Sequence, residues 1–164
     1  MQPSHFYAAL FSPSVPLYAG DLNDAEDKIK FARQIAADNP VISGWEALLF
    51  AKRGDVKKAE AAAQRVTHCK QLFTYSHHAA HTVAAAYAIL GKTDSALTWL
   101  RRASETGFPN YCVFRDDPHL SGLHGNPEYR RFLSALKRQW IGFHREFAHG
   151  EDVTSSVKAK SDTR

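Results

Sequence analysis

The side chains in this chain best suited to chemistry are its nine histidines, and several fall close together. His77 and His81 are four positions apart, and His78 and His81 are three apart. On a helix either pair sets two imidazoles on one face, as two ligands of a bound transition metal require. His68 or Cys69, just upstream, would be a third ligand. Against a metal site, the chain has no His-Glu-x-x-His and no Cys-x-x-Cys, and no carboxylate lies within the pair. The plainer reading of His77 and His78 is that they begin a helix and pack against the turn before it.

Acid–base and nucleophilic chemistry finds less. Ser76 and Ser95 sit at helix starts, and Asp116-Asp117 precedes a proline, which is turn chemistry. No glycine-rich phosphate loop occurs. A basic run made by Arg131, Lys137, Arg138 and Arg145 could meet phosphates, but no base-reading motif accompanies it. The expectation is a non-enzyme with no cofactor. A histidine metal site and a basic helix on nucleic acid are the alternatives.

The elements that would position these residues are helical. From His77 to Phe108 the chain reads as two helices joined by a tight turn. Val83, Ala84, Tyr87 and Leu90 share one face of the first. Gly91 stops it, because glycine takes the left-handed C′ conformation without a Cβ penalty. Thr93 is the expected N-cap of the second helix, whose inner face carries Ala96, Leu97, Leu100 and Ala103. Small residues at Ala84 and Ala96 suit a close helix crossing. Such a hairpin cannot bury its own face and needs neighbours.

Upstream, within residues 1–19, Phe6, Tyr7, Leu10 and Phe11 read as a short helix ended by Ser12-Pro13. Gly20-Asp21 opens a helix to about Asp38 with Ala25, Ile29 and Ala32 inward. A further pair follows: Val41 to Arg53, then a helix capped by Asp55 with Ala59, Ala63 and Val66 inward. Gly54 and Gly91 are 37 positions apart, close to a period of about 34. The extra residues fall near 69–74, an elongated turn.

Downstream, Pro109 to Phe114 forms a compact segment and Asp116-Asp117-Pro118 a turn, with Leu120 and Leu123 as anchors. Asn126-Pro127 starts a long helix. Its stripe is Tyr129, Phe132, Leu133, Leu136, Trp140, Phe143 and Phe147, ending near His149. That stripe should cap the last hairpin, since stacked hairpins need a polar outer end.

Composition agrees with one helical domain. Of 164 residues, 44% are hydrophobic, enough for a core, and the net charge of +4 permits an acidic partner without demanding one. No run reaches transmembrane length. Lys28 is the first Lys or Arg, and Pro13 and Pro16 interrupt the apolar part of the N-terminus, which argues against a signal peptide. Two cysteines suit a reducing compartment rather than a disulfide framework.

The spacing of Ala84, Tyr87, Gly91, Ala96, Leu100 and Ala103 resembles the tetratricopeptide repeat, with Pro109 one place later than the family's closing proline. His77-His78, the Ala84–Ala88 run, Gly91-Lys92, Ala96–Leu100, Gly107–Pro109, Phe114–Pro118 and the Leu123–Phe132 segment resemble a narrower group. These are the C-terminal tetratricopeptide domains attached to bacterial serine/threonine kinases and winged-helix regulators. No kinase motif is present.

The resemblance implies an all-α, right-handed α-solenoid: a half repeat at 20–39, full repeats at 41–72 and 75–108, and a cap at 109–149. Together with residues 1–19 these make one helical domain, 1–149, followed by a disordered tail at 150–164. It implies a cytoplasmic protein–protein interaction module or scaffold, with no membrane partner, taking a peptide or helix in a concave groove. It also points to the regulatory part of a larger signalling protein.

By the family's inner-face positions, Trp45, Leu48 and Ala51 line that groove in one repeat, and His81, Ala85 and Ala88 in the next, with His78 at the lip. Repeats that clamp acidic C-terminal peptides carry Lys and Asn there. Gly44, Leu48, His81 and Ala85 replace them, so an apolar helix or extended peptide fits better. The bland alternative is that the C-terminal helix or another domain fills the groove.

Overall fold

The computed structural model describes residues 3–67 and 76–161, with side chains described over 6–67 and 76–146. Within them the chain is all helical. The order is α1 (Pro3–Phe11), α2 (Ser14–Ala19), α3 (Leu22–Ile35), α4 (Pro40–Lys52), α5 (Val56–Thr67), α6 (Ser76–Ile89), α7 (Thr93–Glu105), α8 (Tyr111–Asp116), a 3-10 helix η1 (Pro118–Leu123) and α9 (Pro127–Ser161). No described helix is long and apolar enough to cross a membrane. His68, Cys69 and the elongated turn lie outside the described residues.

Local chemistry sets most boundaries. Asp21 accepts from the Asp24 N–H, Asn39 from Val41, Asn110 from Val113, and Asn126 from Glu128 and Tyr129. Each satisfies donors that a helix start leaves unpaired. Thr93 is the exception among the expected caps. It is the first residue of α7, Lys92 holds the cap position, and no side chain bonds there.

The hairpins α4–α5 and α6–α7 turn in the same way. Gly54 and Gly91 have φ of 75° and 70°. The Gly54 N–H bonds the Ala51 carbonyl and Asp55 bonds that of Phe50. Gly91 bonds Ala88 and Lys92 bonds Tyr87 in the same pattern. These paired bonds satisfy the last carbonyls of each leading helix.

The core runs along α4 and α6, which pack on each other, on α5 and on α7. Gly44 marks their closest approach. A Cβ there would stand 3.3 Å from the Ala79 backbone and from Thr82 Cβ. Ala84 and Ala96 are fully buried, as are Ala25, Ala32, Ala59 and Ala63 within a few per cent. Small side chains at these crossings let the helix axes approach closely.

The apolar run at Phe6–Phe11 is helical and ends before Ser12-Pro13 as expected; a second short helix, α2, follows it, and Leu10 and Leu17 both lie in the core. One segment differs from expectation. The C-terminal helix does not stop near His149 but continues to Ser161, so the tail expected to be disordered is helical that far. No proline follows Pro127 to break it.

Candidate functional site

The residues expected to line an open groove are covered. Trp45, Leu48, Ala51, His81, Ala85 and Ala88 are all buried. The cover is the chain itself. Trp45 Nε1 donates to the Leu10 carbonyl at 3.0 Å, and Lys52 Nζ donates to the Leu17 carbonyl at 2.6 Å. The Phe11 ring meets His78 edge-on at 5.3 Å. From the other side η1 lies along α6, so close that a Cβ on Gly122 would stand 3.7 Å from the Ala88 carbonyl. The groove thus does not stand open, and its filling is α1, α2 and η1 rather than the C-terminal helix.

At the junction of these pieces sits a buried carboxylate. Asp117 ends α8 and caps η1, accepting from the His119 N–H at 2.9 Å through Oδ1. Its Oδ2 accepts from the Tyr18 hydroxyl at 2.9 Å and lies 3.0 Å from His81 Nε2. By geometry His81 Nε2 makes no directed hydrogen bond there, but the ring's proximity favours the ionised carboxylate. Lys52 Nζ stands 3.1 Å from His119 Nε2. With the ammonium donating, Nε2 accepts and the ring proton sits on Nδ1, 3.5 Å from Asp117 Oδ1. One carboxylate therefore joins α2, α6 and η1, and Lys52 brings in α4.

Electrostatics follow from this crowding. Burial works against the Asp117 charge, but the His81 ring, the His119 N–H and the Tyr18 hydroxyl overcome it and hold its pKa below the usual range. Burial, then the Asp117 charge, push the Tyr18 hydroxyl up. Burial holds His119 down, against the pull of Asp117.

The histidines read as metal candidates gather around an aromatic ring instead. The rings of His77, His78 and His81 lie 5.7, 5.2 and 5.7 Å from that of Phe108. His81 also stacks on Phe114 at 5.4 Å. Burial, then the neighbouring His77 and His81, press His78 down to about 4. Among the described residues no group of three or more His, Cys, Asp or Glu could hold a metal ion.

Sequence reasoning missed Tyr18, Lys52, Asp117 and His119 as a unit. Tyr18 and Asp117 are 99 positions apart, and no motif spans that distance. Asp117 carries a local signal, an Asp-Pro turn, which accounts for the cap and not for the cluster. The chemistry available here is cohesion: a desolvated charge held by donors from separate helices.

The basic face of α9 is exposed at Arg131, Lys137, Arg138 and Arg145. The stripe meant as a cap divides. Tyr129 and Leu136 are buried, and the Tyr129 hydroxyl donates to the Phe114 carbonyl at 2.5 Å. Trp140 and Phe143 remain 37% and 50% exposed. Phe147 falls where side chains are not described.

No protein-family model matches the chain, and neither curated proteins nor solved structures give a match.

Proposed function

We propose that this chain is a non-catalytic protein–protein interaction module of tetratricopeptide type, a short right-handed α-solenoid. Its ligand is an apolar helix or extended peptide, and its peptide groove is already filled by its own N-terminal segment. The observation that carries the reading is how α4 holds α1 and α2. Trp45 and Lys52 each donate a side-chain hydrogen to a main-chain carbonyl of that segment, while Leu10 and Leu17 are buried. Carbonyl capture with apolar anchoring is how a groove binds a peptide independently of most of its sequence. A partner helix would compete with α1–α2 for the same donors. The equivalent Gly54 and Gly91 turns support the repeat reading, and a regulatory place in a larger bacterial, cytoplasmic signalling protein is part of this proposal.

The test loosens the filling. Leu17→Asp in the full chain should release α1–α2 while circular dichroism stays helical. A labelled synthetic peptide of residues 3–20 should then bind the variant and not the wild type. A folded variant that ignores the peptide would show that the α4–α6 face is ordinary core. Crosslinked pull-down from the source cell should likewise yield more of a discrete partner with the variant.

A further inference from the structure

Two of the holds on the N-terminal segment meet at one titratable ring. Lys52 Nζ sits between the Leu17 carbonyl, at 2.6 Å, and His119 Nε2, at 3.1 Å. Tyr18 donates to Asp117, and its ring centroid lies 4.4 Å from that of His119. His119 itself is buried.

The Lys52 contact requires a neutral ring. An ammonium can only donate, so Nε2 must offer its lone pair, and the single ring proton sits on Nδ1. A second proton has only Nε2 to occupy. It would set an N–H against the ammonium 3.1 Å away, donor against donor and cation against cation.

The charged and titratable groups facing the ring are Lys52 from α4, His81 from α6, Tyr18 from α2 and Asp117 at the start of η1. On α8, Arg115 and Asp116 pair with each other at the surface. Burial opposes a charge on the ring most strongly. Asp117 favours the charge, Lys52 and His81 oppose it, and the balance holds His119 below the usual histidine range. Lifting α2 away admits water and restores ordinary proton affinity. Proton uptake therefore favours the lifted state. The segment is closed above the ordinary histidine value of about 6.5 and opens as pH falls below it.

We propose that His119 and Lys52 form an acid-released latch on α1–α2: a proton on His119 Nε2 displaces Lys52, Lys52 gives up the Leu17 carbonyl, and the segment swings off α4 about Gly20. Gly20 joins α2 to α3 with φ of 87°, and nothing lies within 4 Å of where its Cβ would stand, so neighbours do not obstruct the joint. The opening uncovers Trp45. That the uncovered face then takes a peptide rests on the proposed function, whereas the latch does not.

The test is acrylamide quenching of a full-length chain that keeps only Trp45, with Trp99 and Trp140 replaced by phenylalanine. Its quenching constant should rise several-fold between pH 7.5 and pH 5 and return on neutralisation, with helical circular dichroism kept throughout. At pH 5 the folded His78, held at about 4, is still mostly neutral. In the same background His119→Gln should stay flat, because the amide oxygen accepts from Lys52 and takes no proton. Lys52→Met should be as quenchable at pH 7.5 as the parent chain is at pH 5.

A parent chain whose Trp45 quenching does not change with pH overturns the latch. So does a His119→Gln chain that opens like its parent, since another group would then be the trigger. A Lys52→Met chain quenched no more than its parent at pH 7.5 overturns it as well. The labelled peptide of residues 3–20 separates the two readings. If Trp45 opens in acid but the peptide binds neither the opened chain nor Leu17→Asp, the latch stands and the groove reading falls. If the peptide binds Leu17→Asp while acid leaves Trp45 covered, the latch alone falls.

Discussion

The inner face of α4 and α6 and the distal half of α9 exchange the roles their sequences suggest. The first has the residues of an open groove and is buried at Trp45, Leu48, Ala51, His81, Ala85 and Ala88, with His78 half-buried at its lip. The second continues an apolar stripe at helical spacing and is exposed. The difference lies in what is available to cover each. Segments remote in sequence, α1–α2 from one end and η1 from the other, reach the α4–α6 face and tie down through Asp117. Along α9 full burial ends at Leu136, Trp140 is half-covered beside Tyr111, and the helix continues past them. Periodicity identifies an apolar face. Coverage is decided by chain segments that periodicity does not see.

The sharpest way to break this comparison is to remove what holds the cover. Phe114 is fully buried, stacked between His81 and Phe132. Phe114→Ala should cost about 3–5 kcal/mol, read as a large fall in the denaturant midpoint. A loss within error of zero would mean that the α8–η1 segment does not seal the face. Asp117→Ala comes next. It strands the Tyr18 hydroxyl and the His81 and His119 rings in a desolvated site, at a cost of about 3 kcal/mol. The denaturation midpoint should fall while helicity at neutral pH is kept, and an unchanged midpoint would leave the carboxylate without a structural role.

Acid sharpens the same contrast. The folded chain holds His78 at about 4 against an ordinary 6.5. Between those values the unfolded chain takes a proton that the folded chain refuses, so stability is full above about 6.5 and falls as pH drops toward 4. His77 and His119, also held low by burial, act in the same sense. Asp117, held below its ordinary range, adds a further loss at lower pH. Melting temperature against pH should slope down on acidification, and His78→Gln should flatten part of that slope. A melting temperature that rises on acidification would contradict the burial of this face.

The smallest effect belongs to the other region. Trp140→Gln with Phe143→Gln should change stability by no more than about 0.5 kcal/mol, as for exposed positions. A loss near that of Phe114→Ala would show that the distal stripe is covered after all.

Much of the helical order was legible because its signals are local. Asp21 and Asn126-Pro127 open helices by capping their own first turn, and Gly54 and Gly91 close them by taking a conformation other residues resist. Ala84 and Ala96 announced a close crossing by size alone. The polar cluster was not legible, because Tyr18, Lys52, His81 and Asp117 meet only through tertiary packing. Asp117 read as turn chemistry, and it is that too. The extent of α9 was misjudged for a different reason. The stripe ends near Phe147, but a helix needs no apolar stripe to continue where nothing breaks it.

Trp45 and Trp140 test the central claim most directly, since one was expected in an open groove and the other under a cap. Chains retaining only one of these two tryptophans, the others replaced by phenylalanine, would be titrated with acrylamide at protein concentrations low enough to keep them monomeric. The account predicts that Trp140 emission is quenched several-fold more steeply than Trp45 emission. Equal quenching, or steeper quenching of Trp45, would contradict it.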